Sequence, residues 1–341
     1  MTVITIDEDY AGIRFDKYLR KHFPGASSGF LYKMLRKKNI VLNGKKATGS
    51  ETLKNADEIK VFFSEETYQK MRQSDDGASN FLRLAAIRTV PDIIFEDENI
   101  LLLNKPAGIL SQKAKPEDIS LNETALSYLI HKGELSEEQM RSFRPSVMNR
   151  LDRNTSGITA FAKTYEGARY LADGLKSHSI KKEYAALVIG ECGLSGQLHG
   201  YIKKDPASNL SKIVDASEGG AKAVAMEIMG SVRYDGYTLL SIELLSGRSH
   251  QIRAWLSALG YPIAGDVKYG KAENAAGRRG KQGNGRSYKQ GNAQLKGTNV
   301  RGIPVTRQLL HARRLCFPDG RVFTADYPDD FARVITALEN R

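Results

Sequence analysis

Asn149-Arg150-Leu151-Asp152-Arg153-Asn154-Thr155-Ser156-Gly157 sets one carboxylate in a short polar loop. The runs on either side, Ser146-Val147-Met148 and Ile158-Thr159-Ala160-Phe161-Ala162, read as strands. An Asp between two arginines, followed by Asn, Thr, Ser and Gly, is poor material for an element interior. Those side chains compete for backbone hydrogen bonds, and glycine tolerates unusual dihedrals. The loop can therefore present a carboxylate at a sheet edge, or it is an ordinary turn whose Asp caps backbone amides. Spacing alone leaves both open.

The chain outside the loop bounds the choice. At 341 residues, with 41% apolar and 26% charged side chains, two globular domains are expected. Met1 to Gly12 carries no basic run leading into an apolar stretch, and no segment approaches ~18 uninterrupted apolar residues, so a cytoplasmic protein without membrane contact is expected. Cys192 and Cys316 have no CxxC spacing, which argues against a disulfide framework or a structural zinc site. The net charge of +12 is concentrated: residues 14 to 46 hold ten Lys/Arg and one acid, and residues 271 to 302 hold eight and one. Two basic clusters flanking a nearly neutral body attract a polyanion through counterion release, and nucleic acid is the expected partner.

Residues 14 to 38 predict two helices around a Pro-Gly-Ser break, with Phe15, Leu19 and Phe23 on one stripe and Phe30, Leu31, Met34 and Leu35 on the next. Ile40-Val41-Leu42 and Asp57 to Phe63 follow as strands, and Asn43-Gly44 signals a tight turn. Through Arg14-Phe15-Asp16-Lys17-Tyr18-Leu19, Val41-Leu42-Asn43-Gly44-Lys45 and Asp57-Glu58-Ile59, residues 12–63 resemble the alpha-L RNA-binding motif of a small-subunit ribosomal protein and of bacterial tyrosyl-tRNA synthetases. Lys33, Arg36, Lys37 and Lys38 would then reach phosphates, which positions a nucleic acid without reading its sequence.

Residues 64–90, centred on Ser74-Asp75-Asp76-Gly77, read as a linker, and a second domain spans 91–341. Ile93-Ile94-Phe95 and Ile100 to Leu103 form a hairpin in outline, residues 122 to 131 and 164 to 177 read as helices, and 181 to 190, 222 to 232 and 237 to 245 read as strands. Hairpins outnumber strand-helix-strand crossovers, so an α+β fold with a mixed, mostly antiparallel sheet is expected. Residues 271–302, with seven glycines and few apolar side chains, read as a mobile basic insertion, either an auxiliary RNA contact or a neutral spacer.

The loop at Asp152 resembles the signature of the RluA-type pseudouridine synthases, His-Arg-Leu-Asp-x-x-Thr-Ser-Gly, and departs from it only at Asn149, a position that in the family supports the loop. Asn104-Lys105-Pro106-Ala107-Gly108, Lys182-Glu183-Tyr184-Ala185-Ala186-Leu187-Val188, Gly247-Arg248-Ser249-His250-Gln251-Ile252-Arg253 and Gly265 to Gly270 are similar to further motifs of that family in the family's order, with Ser249 replacing Thr. The resemblance implies an isomerase that converts uridine to pseudouridine. Asp152 would be its essential residue, Tyr184 its stacking tyrosine, and Arg253, with Arg248 second, the cation beside the carboxylate. Arg150, Thr155, Arg248, His250 and Gln251 would contact substrate, with His250 and His311 as hydrogen-bonding residues and not bases. The reaction transfers no electrons and loses no group, so no redox cofactor, nucleotide or metal is implied. Ribosomal RNA of the large subunit is the first candidate substrate and transfer RNA the second, acted on by a monomer. A ribosome-assembly factor that has lost catalysis is the alternative from another class; a carboxylate-dependent RNA hydrolase lacks a metal-binding carboxylate pair near Asp152.

Overall fold

The computed structural model describes residues 1–72, 75–205, 208–270 and 298–340. The chain divides into two compact units, one formed by Met1–Arg88 with Leu129–Arg144, the other by Thr89–Tyr128 with Pro145–Arg341. Among the described residues no helix is long and apolar enough to cross a membrane.

The first unit is a four-stranded sheet with two helices against it. Thr2–Thr5 pairs antiparallel with Glu58–Val61, which pairs with Ile40–Leu42, which pairs in turn with Lys45–Lys46. The Asn43-Gly44 turn has both residues at positive φ, 49° and 70°, as a tight hairpin of right-handed twist requires. Helices Phe15–His22 and Ser28–Arg36 bury Phe15, Leu19, Leu31 and Leu35, and the Ser27 hydroxyl caps the second by accepting from the Phe30 N–H. Lys33, Arg36, Lys37 and Lys38 are all exposed at the end of that helix.

Two boundaries differ from those expected. Residues 64–90 are not an extended linker: they carry helices Glu65–Arg72 and Asp75–Ala85, and Tyr68 is buried against Phe23, ring centroids 5.4 Å apart. The unit also begins at Thr2, ahead of residue 12, because the first strand supplies an edge of the sheet.

The second unit is built on a mixed sheet. Its path runs Leu210–Val214, Gly196–Asp205, Lys222–Tyr234, Tyr237–Leu244, Lys181–Ile189, Leu310–Cys316, Ser156–Ala162, Ile100–Lys105 and Ile93–Glu96. Neighbours are antiparallel except Leu310–Cys316 beside Ser156–Ala162. The expected α+β class and sheet character hold. Ser156–Ala162 is buried at every residue, as a strand covered on both faces must be. At the one parallel contact Gly157 has φ +112°, and a Cβ there would lie 2.2 Å from the Ala312 carbonyl oxygen, so no other residue fits. This close crossing fixes where the polar loop ends. The expected insertion at 271–302 also closes earlier than read: Thr298–Val300 pairs with Ile303–Val305 and Val300 is fully buried, while 271–297 lie outside the described residues.

Candidate active site

The polar loop from Asn149 to Gly157 is held from both sides. Asn149 lies between two strands whose edge it closes: the Ala160 N–H donates to its Oδ1 at 2.7 Å, and its Nδ2 donates to the Ile158 carbonyl at 3.4 Å. The Ser111 hydroxyl brackets Leu151, donating to its carbonyl at 3.1 Å while accepting from its N–H at 3.0 Å. Beneath the loop, fully buried Lys105 donates to the carbonyls of Pro106, Ile109 and Arg153 at 2.8 to 3.0 Å. Burial pushes this amine down to about 7, against the attraction of Asp152 and with the repulsion of Arg307. The Arg307 guanidinium bonds the Asn154 carbonyl and is fixed by Asp330.

So braced, Asp152 faces a cleft of about 1000 Å³ that Tyr184, Arg253, His250, Lys182 and Gln308 also line. Arg253 is the third residue of helix Gln251–Ala258 and has 5% of its side chain exposed. Its Nη1 donates to Asp152 Oδ2 at 2.7 Å, and its Nε and Nη2 donate to Asp266 at 2.7 and 2.9 Å. Burial opposes the charge on Arg253, but the bonds and charge of Asp266, with Asp152 behind them, outweigh it and raise its pKa. Asp266 is itself fully buried and accepts the N–H groups of Lys268 and Tyr269, both at 3.0 Å. The guanidinium is thus aimed from behind, and one edge remains for Asp152.

His250 precedes this helix in a left-handed conformation, φ 54°. Its Nε2 stands 3.9 Å from Asp152 Oδ2, and its Nδ1 lies 2.9 Å from the Tyr269 hydroxyl, which accepts from the Ser211 N–H at 2.7 Å. In the tautomer whose Nδ1 accepts from the Tyr269 hydroxyl, the imidazole carries its own proton on Nε2 toward Asp152. Burial lowers the His250 pKa, which favours this neutral form; Asp152 opposes. Arg253 and His250 both converge on Oδ2. No hydrogen bond reaches Oδ1 among the described residues, so Oδ1 is the oxygen left open. Tyr184, 7% exposed, has its hydroxyl pKa raised by burial and then by Asp152, so the phenol stays protonated.

Every residue expected in the second-domain site lines this one cleft, but not all point their polar groups into it. Arg150 and Arg248 are exposed at its rim, and Arg248 does not pair with Asp152, which leaves Arg253 as the cation. Gln251 and Thr155, expected to contact substrate, have their polar groups bonded within the protein. Gln251 donates to the Ala225 carbonyl and accepts from Ser246 and the Arg248 N–H, and Thr155 accepts from Gln308. Both are 2% exposed and serve the walls. His311 is structural: with no exposure it accepts from Ser156 at 2.9 Å and donates to the Ala325 carbonyl at 3.2 Å. Asp266, Tyr269 and Lys105 carry site roles that the sequence did not assign, although each lies within a quoted motif.

His311 gives the fold a pH dependence. Burial, with Arg313 and Arg307 adding to it and the Ala325 bond opposing, pushes its pKa down to about 4 from 6.5. The unfolded chain then binds the proton first, so stability falls as the pH is lowered from about 6.5 toward about 4. Thermal unfolding midpoints measured across that window should drop for the wild type and drop less for His311→Asn. Parallel curves would remove His311 as a source.

Fold and site together place one carboxylate, its guanidinium partner and a buried tyrosine in a single cleft at the end of a mixed sheet. The fold matches a solved human structure, RNA pseudouridylate synthase domain containing 4, with a TM-score of 0.53 at 19% identity, covering 77% of this chain and 97% of that one. The family model for RNA pseudouridylate synthase matches residues 99–258. A ribosomal large subunit pseudouridine synthase C of Rickettsia felis is 32% identical over 264 residues, 76% of this chain and 82% of the relative. The protein of that name in Escherichia coli is 29% identical over 282 residues, 80% of each chain. The chain belongs to the RNA pseudouridine synthase family, in its RluA-type branch, and is an isomerase.

Proposed function

We propose that this chain isomerises uridines in large-subunit ribosomal RNA, with Asp152 as the essential residue, Tyr184 as the surface on which the extruded base stacks, and Arg253 as the cation that keeps Asp152 ionised. The observation that carries the reading is the Asp152–Arg253–Asp266 chain, in which a guanidinium fixed by a buried acid donates to a carboxylate that faces the cleft. The names of the Rickettsia and Escherichia relatives support the choice of RNA. A uridine paired in a duplex cannot reach such a cleft, so looped or junction segments that extrude a base cheaply are the expected targets. The first unit would hold the RNA by its phosphates through Lys33, Arg36, Lys37 and Lys38, while the second, a monomer acting in the cytoplasm, does the chemistry.

Transcripts of large-subunit ribosomal RNA made with uridine tritiated at C5 test the reading, because isomerisation releases that hydrogen. Tritium release, with new carbodiimide-dependent stops on primer extension, is the expected result. Release from transfer RNA transcripts alone would reassign the substrate, and release from neither would overturn the proposal. Replacing Lys33, Arg36, Lys37 and Lys38 together by Ala should weaken binding and flatten the slope of log affinity against log salt by about 3. An unchanged slope removes the first unit from RNA binding.

A further inference from the structure

Lys182 has 9% of its surface exposed and lines the cleft, yet it forms no hydrogen bond or ion pair with any described residue. It lies two residues before Tyr184 on strand Lys181–Ile189, so the two side chains leave the sheet on the same face, about 7 Å apart along the strand. The Glu183–Glu243 register places Leu244 opposite Lys182, and Leu244, Met148 and Leu175 line the cleft as apolar walls. Its nearest acid, Glu243, stands across from Glu183 on the other face and takes Lys181 at 3.6 Å. The other cations of the cleft are accounted for. Arg253 has its three donor nitrogens committed to Asp152 and Asp266, and Lys113, Arg150, Arg153, Lys204, Arg248 and Lys268 are exposed. A buried ammonium on the cleft wall, attracted by Glu243 but bonded to no acid, marks a place where an anion arrives or forms.

The reaction forms one. When the N1–C1′ bond breaks, its electron pair leaves with the uracil. Asp152 compensates the sugar either by bonding C1′ or by taking the C2′ proton, and both routes leave the negative charge on the base, spread onto its carbonyl oxygens. We propose that Lys182 is a catalytic residue whose ammonium donates to a carbonyl oxygen of the departing uracil, stabilising the uracil anion while the ring turns on Tyr184 to present C5. The apolar lining from Leu244, Met148 and Leu175 suits the faces of a pyrimidine and not a phosphate. Burial lowers the Lys182 pKa and so strengthens it as a donor to the anion.

The inference rests on the synthase reading, and one experiment separates the two. Wild type, Lys182→Met and Lys182→Arg would be assayed on the C5-tritiated ribosomal transcript, and on the same transcript made with 5-fluorouridine, whose base leaves as a more stable anion. Loss of the fluorinated nucleoside from nuclease digests reports the second substrate. Lys182→Met should lower kcat on uridine about 100-fold with KM nearly unchanged, and lower the 5-fluorouridine rate less than tenfold. Lys182→Arg should stay within tenfold of wild type on both. Equal losses on the two substrates, a change in KM alone, or Lys182→Arg as slow as Lys182→Met would each assign the side chain to packing or binding and overturn the inference. A fully active Lys182→Met would do the same. A wild type inactive on every RNA instead overturns the synthase reading, and the inference falls with it.

Discussion

Asp152→Asn should fold, bind RNA within a few fold of wild type, and release tritium at least about 10⁴-fold more slowly. The substitution keeps the shape of the side chain, and its amide oxygen can still accept from Arg253, which donates at 2.7 Å. Only the charge is lost. Neither an attack on C1′ nor removal of a sugar proton survives that loss, because an amide is too weak a nucleophile and too weak a base for either. The neighbours hold the loop independently: Asn149 through Ala160, Ser111 through Leu151, and Lys105 through Arg153 do not involve the Asp152 side chain. The unfolding midpoint should therefore move by no more than a degree or two. Tritium release above about one hundredth of the wild-type rate would show that Asp152 is not the essential group.

Arg253→Leu should damage stability and rate together, and a second substitution should part them. Removing the guanidinium strands Asp266, whose side chain has no exposure and whose remaining donors are two backbone N–H groups. A buried carboxylate left without its partner costs about 3–5 kcal/mol, readable in a denaturant titration. Asp152 loses its counter-ion in the same step, and kcat should fall about 10³-fold. Adding Asp266→Asn removes the stranded charge, so the double variant should regain most of the stability and none of the rate. Were Arg253→Leu as stable as wild type, Asp266 would have to be neutral or solvated, and the bracing of Arg253 from behind would be wrong. Were the double variant to regain activity, Arg253 would be structural.

Much of the site was legible because its residues sit in short, sharply punctuated segments. The polar run around Asp152 could be neither strand nor helix, and the strand bearing Tyr184 shows as an apolar run with a charged start. What the sequence concealed depends on burial. Asp266 follows the apolar Pro262-Ile263-Ala264, and an acid beside such a run is a signal for a buried partner, but which cation it meets is set by a helix thirteen positions earlier. Lys105 lies in a quoted motif, but its burial shows only in the turn that brings Pro106, Ile109 and Arg153 around it. The polar helices Glu65–Arg72 and Asp75–Ala85 have the composition of a linker, because Ser-Asp-Asp-Gly ordinarily breaks structure. Tyr68, inserted among Phe23 and Phe63, supplied the tertiary packing that outweighed it.

The three commitments of Arg253 also bear on selectivity against the substrate's own backbone. A nucleic acid approaches as a dense line of phosphates, and a loosely held guanidinium beside the carboxylate would be drawn to the first one that came near. Three of the five N–H groups of Arg253, one on each nitrogen, are held by two carboxylates, and RNA cannot draw the guanidinium away without exposing a buried acid. The exposed cations at the rim are left to compete for phosphate, and the pairing of Arg253 with Asp152 is insulated from the polymer's own charge.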